Sequence, residues 1–134
     1  MERRRGLRVL LDTHTLLWST NSPSFLSRQV SEIVADHNNL ILVSAASAWE
    51  IATKVRLGKF PEAEELERDF LSIMDRAGYK LIPIDAATAL RAGRLAAAHG
   101  DPFDRMIAAQ SLAYDIPVLS ADTKLDVFGV RRIW

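Results

Sequence analysis

The run Arg8-Val9-Leu10-Leu11-Asp12-Thr13-His14 constrains the fold more than any other part of the chain. Three apolar residues in succession, Val9 to Leu11, lead straight into a carboxylate. An unbroken apolar run suits a strand buried on both faces, as in a parallel sheet, and not the alternation of a sheet with one solvated face. In open α/β sheets, ligands sit outside the carboxyl ends of such strands. Asp12 stands at that end, and a buried carboxylate needs a partner because a bare charge is costly there. Two partners are open to it: the N–H groups of a following helix, which Asp12 would cap, or a cation.

The rest of the chain repeats this unit. Leu40 to Val43, Lys80 to Ile84 and Pro117 to Ser120 read as further strands, with Val130 to Trp134 as an edge strand. Between them lie helical segments. Thr13 to Trp18 is short. The next starts at Ser27, with Leu26, Val30, Ile33 and Val34 at helical spacing. Ser44 caps a helix over Ala45 to Leu57. Another opens at Phe60-Pro61 and stops at Gly78, and Asp85 caps an alanine-rich helix from Ala86 to Ala98. Asp101-Pro102-Phe103-Asp104 is a strong helix start, with Asp at the cap and Pro in the first position, and that helix runs to about Tyr114. Strands alternating with helices predict βαβ units. The expected fold is therefore α/β: one domain over residues 1–134, with a central, mostly parallel sheet of four to five strands flanked by helices on both faces. Residues 1–6, which include Arg3-Arg4-Arg5, read as a basic N-terminal tail.

Composition narrows the function. With 49% hydrophobic residues, the chain can bury a core. Lys and Arg together number 17, as do Asp and Glu, so no global basic field announces a nucleic acid, and any such binding needs locally segregated charge. Cysteine is absent, which excludes thiolate metal sites and disulfides and fits a reducing compartment. No apolar run reaches membrane-spanning length, and the expected location is cytoplasmic.

Four acids are the candidates for chemistry. Asp12 and Asp122 directly follow strands, Glu50 lies near the start of the helix after the second strand, and Asp104 is in the first turn of the helix before the fourth. Parallel strands end at one edge, so these groups can converge. Gathered carboxylates raise one another's pKa unless a cation joins them. All-oxygen ligation suits Mg²⁺ or Mn²⁺, and such an ion can generate hydroxide from water and stabilise in-line displacement at phosphorus. Each acid also has a plainer reading: Asp12 and Asp122 as caps, Glu50 as the i,i+4 partner of Lys54, and Asp104 as a helix-start acid favoured by the macrodipole.

Four segments, taken together and in order, resemble a known family: Leu10-Leu11-Asp12-Thr13-His14, Trp49-Glu50-Ile51-Ala52, Asp101-Pro102-Phe103-Asp104-Arg105 and Ser120-Ala121-Asp122. They resemble the PIN domain, and more closely the VapC-type toxins of bacterial and archaeal toxin–antitoxin pairs. The resemblance implies a Mg²⁺-dependent endoribonuclease, with Mn²⁺ a possible substitute, that hydrolyses RNA with a metal-activated water. It carries the acidic quartet over to Asp12, Glu50, Asp104 and Asp122 as catalytic and metal-ligating residues. It also implies a VapB-like antitoxin partner and a homodimer. A catalytically inactive PIN-like module that binds RNA or protein is the alternative.

Thr13 and Ser120 are candidates for the Ser or Thr often found near such a site. Lys54, Arg56, Lys59 and Arg105 lie near the acidic edge and are candidates for RNA phosphate contacts, since an acidic centre needs a basic surround to attract a polyanion. His14, His37 and His99 lack metal-ligand spacing. Trp18 and Trp49 can stack bases, though their helical spacing also suits packing.

Overall fold

Residues 6–134 are described by the computed structural model. Five strands form its centre: β1 (Arg8–Leu11), β2 (Leu40–Ser44), β3 (Lys80–Ile82), β4 (Val118–Leu119) and β5 (Arg132–Ile133). They hydrogen-bond in the order β3-β2-β1-β4-β5, every neighbouring pair parallel. The helices are α1 (Thr13–Asn21), α2 (Arg28–Ala35), α3 (Ala45–Arg56), α4 (Glu64–Arg68), α5 (Phe70–Ala77), α6 (Ala86–Arg94) and α7 (Pro102–Tyr114), with 3-10 turns at Pro23–Phe25, Pro61–Ala63 and Thr123–Phe128. The α/β fold expected from the sequence is the one observed. Apart from Gly6, the basic tail expected over residues 1–6 lies outside the described residues. Among the described residues, no helix is long and apolar enough to cross a membrane.

The strand patterns follow from burial on both faces. Val9 and Leu11 pack into one apolar cluster with Ile41, Val43 and Ile51, while Leu10 packs into a second with Leu42, Val118 and Ile107. Successive side chains of β1 thus enter opposite cores, which is why its apolar run does not alternate with polar residues. The register then sets the site. Leu11 pairs with Val43 on one side and Leu119 on the other, so Asp12, Ser44 and Ser120 leave the sheet edge together. The chain moves outward from β1 to β2 and β3, then returns to the opposite side of β1 for β4. A crevice opens where the order reverses in this way.

Two helices differ from expectation. The segment expected as one helix from Phe60-Pro61 to Gly78 is a 3-10 turn followed by α4 and α5, broken at Asp69 (φ −110°, ψ 26°). The alanine-rich helix stops at Arg94, not Ala98. Leu95 leaves the helical region (ψ 129°), and the carbonyls beyond and before it turn to the Arg105 guanidinium. Local propensity favours continuing the helix, and a charged donor on α7 overrides it.

Candidate active site

Each acid is placed by a different element. Asp12, 7% exposed, caps α1: its Oδ1 accepts the Thr15 N–H at 2.8 Å. Its Oδ2 accepts the hydroxyl of Ser120, which is wholly buried at the end of β4. The Ser120 Oγ also accepts the Asp122 N–H at 3.0 Å, so one hydroxyl ties the two strand-end acids together. Asp122 in turn caps the Thr123–Phe128 turn, accepting the Lys124 N–H at 2.9 Å.

Glu50 is buried on the inner stripe of α3. Its Oε1 accepts the Thr13 hydroxyl at 2.5 Å, and its Oε2 accepts from the Lys54 ammonium one turn on. Ser47 Oγ stands 3.0 Å from Thr13 Oγ1 and completes a buried hydroxyl pair beneath the carboxylate. Asp104 is held at the start of α7, where the His99 Nε2–H donates to its Oδ2 at 2.8 Å. All four acids line one cavity of about 440 Å³, together with a fifth carboxylate, Asp101, and with His14, Lys54, His99 and Lys124.

The electrostatics are those of carboxylates gathered with little positive charge. Burial pushes Asp12 up from the ordinary carboxylate value, against the bonds from Ser120 and Thr15. Burial also pushes Asp104 up. The His99 bond opposes it, while the charges of Asp101 and Glu50 push it further up. These groups bind a proton more tightly folded than unfolded. Their contribution to stability is therefore fully present below the unfolded value near 3.8 and is lost as pH rises through the raised value. Asp85 and Asp126 run the other way, with lowered values, and lose their contribution only as pH falls below that window. The stability advantage of Asp104→Asn over the metal-free parent should thus be largest at pH 7 and vanish toward pH 4. Thermal unfolding of both proteins across that range measures it, and an advantage that grows on acidification would contradict it.

The donors are all oxygen, and among the described residues Asp12 has no Lys or Arg partner of its own. In kind, this set fits a hard divalent cation. Both oxygens of Glu50 are engaged, by Thr13 and Lys54, and one oxygen of Asp104 is engaged by His99. Among the described residues, no three acidic or histidine side chains converge closely enough to enclose an ion.

A family model described as PIN domain matches residues 9–130, which include all four acids and every strand but the first residue of β1 and the last strand. The chain belongs to the PIN-domain family. A curated relative, Ribonuclease VapC16 of Mycobacterium tuberculosis, is 47% identical over 55 residues, a match spanning 41% of this chain and 39% of that protein. Among solved structures, this PIN domain is similar to VapBC2 from Rickettsia felis bound to a DNA fragment from their promoter (TM-score 0.68, 18% identity, 96% of this chain and 99% of that one). It is also similar to VapBC-1 from nontypeable Haemophilus influenzae (TM-score 0.64, 16% identity, 95% and 97% covered). FitAcB from Neisseria gonorrhoeae matches with a TM-score of 0.60 and 24% identity over 94% of this chain and 96% of that one. At these identities the structural likeness establishes the fold.

Of the residues singled out in the sequence, the cavity of this PIN domain gathers Asp12, Thr13, His14, Trp18, Glu50, Lys54, His99, Asp104 and Asp122, with Ser120 just beneath, while Arg56 and Lys59 do not line it. Arg105 is a correction. Its guanidinium donates to the carbonyls of Ala92, Gly93, Leu95, Ala97 and His99 at 2.5–3.4 Å and does not line the cavity. A fork so fully committed is not free for phosphate. Ser47, which the sequence places on one helix stripe with Glu50 and Lys54, lies beneath the Glu50 carboxylate. Two contributors were given no place at the site by the sequence: His99 and Lys124. His99 lies in a non-helical loop that no periodicity predicts.

Asp101 and Asp104, three residues apart, divide their tasks. Asp101 Oδ1 accepts the N–H groups of Phe103 at 2.9 Å and Asp104 at 3.0 Å, which makes it the cap of α7. Asp101→Asn should keep the fold's stability, and Asp101→Ala should cost about 1 kcal/mol. Asp104→Asn should leave stability intact or improved but abolish Mn²⁺ binding. Calorimetric Mn²⁺ titrations decide between them, and metal loss in Asp101→Asn with retention in Asp104→Asn would reverse the assignment.

Proposed function

We propose that this PIN domain is a divalent-metal-dependent endoribonuclease of the VapC type, the toxin of a toxin–antitoxin pair that works in the cytoplasm. One observation carries the reading. Five carboxylates line a single cavity at the switch point of a parallel sheet, and four of them, Asp12, Glu50, Asp104 and Asp122, come from four separate elements. Building a cap or a core does not require that convergence, whereas an ion-dependent phosphodiester hydrolase does.

Asp12 and Asp104 would hold Mg²⁺, with Mn²⁺ as a substitute, and Glu50 and Asp122 would join directly or through water. When bound, such an ion supplies an activated water and neutralises charge developing at phosphorus. The protein's own groups prepare for this. Thr13 and Lys54 fix both oxygens of Glu50, and Ser120 fixes Asp12 relative to Asp122. The exposed Lys124 and the Lys54 ammonium stand at the cavity wall, where cationic groups can take an RNA phosphate without diluting the acidic centre.

Incubation of RNA with purified protein, with ends mapped, tests the reading. Cleavage should require Mg²⁺ or Mn²⁺ and cease in excess EDTA. Full cleavage in EDTA by contaminant-free protein would sink it.

The proposal extends to partners. The similar structures include two VapBC structures, and this supports a VapB-like antitoxin partner. We propose that a basic side chain in its C-terminal segment reaches into the acidic cavity. We also propose that the chain forms a homodimer. Light scattering that finds only monomer at high concentration would refute the dimer. An antitoxin that still inhibits after deletion of its C-terminal segment would refute inhibition at the cavity.

A further inference from the structure

We infer that His99 is a positioning residue that holds one oxygen of the Asp104 carboxylate and leaves the other free for a metal ion, and that Arg105 makes this possible by pinning the His99 loop. The inference rests on the metal-site reading above.

The geometry has three parts. His99 Nε2–H donates to Asp104 Oδ2 at 2.8 Å and leaves Oδ1 unclaimed by any protein donor among the described residues. The His99 main chain is itself fixed, because its carbonyl accepts from Arg105 Nη1 at 2.9 Å, alongside Ala97 at 3.0 Å. Phe128 then backs both groups. Its ring lies 5.7 Å from the imidazole and 5.7 Å from the guanidinium carbon. Phe128 ends the 3-10 turn that Asp122 caps. The support behind Asp104 is thus built on the segment that carries another acid of the cavity.

This arrangement explains why irregular chain lies over α7. Residues 95–100 have no regular structure, and a side chain carried there would ordinarily be poorly fixed. Arg105, next to Asp104 in sequence, presents its rigid fork to the loop and turns it into a defined support. A carboxylate whose outer oxygen is hydrogen-bonded is held in one plane, and such outer partners are worth ten- to a hundredfold in metal affinity.

The test compares His99→Gln with His99→Asn by calorimetric titration of the whole protein with Mn²⁺ alone. A Gln amide nitrogen reaches about as far as Nε2, whereas an Asn amide reaches only as far as the nearer ring nitrogen. The two variants therefore alter the loop alike and differ in whether they touch Asp104. His99→Gln should bind Mn²⁺ within about threefold of the parent, and His99→Asn should bind about tenfold or more weakly. Equal affinities in the two variants, or tighter binding in either, would overturn the inference. A parent protein that binds no Mn²⁺ would overturn the metal-site reading itself, which keeps the two failures distinct. Thermal unfolding of both variants is the control. If His99→Asn weakens Mn²⁺ binding only where it also unfolds below the titration temperature, while a folded Arg105→Lys protein binds as the parent does, the inference fails as well.

Discussion

Asp12→Asn should abolish RNA cleavage and Mn²⁺ binding while raising the unfolding temperature of the metal-free protein. The carboxylate is 7% exposed, and burial holds its pKa above the ordinary value, so the ionised side chain opposes folding at pH 7. Asn removes that charge and retains the cap to Thr15, since Asn caps as well as Asp does. The Ser120 hydroxyl can turn from donor to acceptor toward the new amide. A gain of about 1 kcal/mol, or a few degrees, is expected. The loss of activity should be about a hundredfold or more, because even outer partners of a metal are worth ten- to a hundredfold. Thermal unfolding and cleavage assays on one preparation check both halves. A variant that is less stable and still active would show that Asp12 is only the cap of α1.

Removing the Arg105 guanidinium should have the largest effect on stability outside the apolar core. Arg105→Met leaves the carbonyls of Ala92, Gly93, Leu95, Ala97 and His99 without their donor, several of them partly buried. Charged hydrogen bonds are individually strong, and buried acceptors left unpaired are costly. The expected loss is about 3 kcal/mol, or roughly 10 °C in unfolding temperature. Arg105→Lys should recover little of it, since an ammonium has three donors and no planar fork. Thermal denaturation of both variants is the measurement. A phosphate-binding Arg105, the role its sequence position suggested, gives the opposite pattern: Lys would preserve stability, and RNA affinity would weaken with a shallower salt dependence.

The meeting of Asp12, Glu50, Asp104 and Asp122 at one cavity was legible because each acid sits beside a strong local signal. Asp12 and Asp122 follow strands, Glu50 follows the capped start of α3, and Asp104 is in the first turn of a helix opened by Asp-Pro. The competing local readings were also met in part: Asp12 and Asp122 do cap, and Glu50 does pair with Lys54. These roles coexist because a carboxylate has two oxygens. The cap of α1 takes one oxygen of Asp12 and leaves the other to face Ser120 and the cavity.

The sequence by itself determined the strand and helix alternation, the parallel sheet, and the edge at which the acids meet. Continuous apolar runs, caps and helix periodicity are local, and in a parallel sheet local direction fixes which ends converge. Only the tertiary structure decided where α6 stops, what Arg105 holds and that His99 meets Asp104. The residues from Ala86 to Ala98 favour helix throughout, yet the chain leaves it at Leu95. The cause is a guanidinium that lies further along the sequence and reaches the loop only once α7 packs against α6. Hydrogen bonds from a distant charged side chain outweigh a few tenths of a kcal/mol per residue in helix propensity, and no reading of a local window contains them.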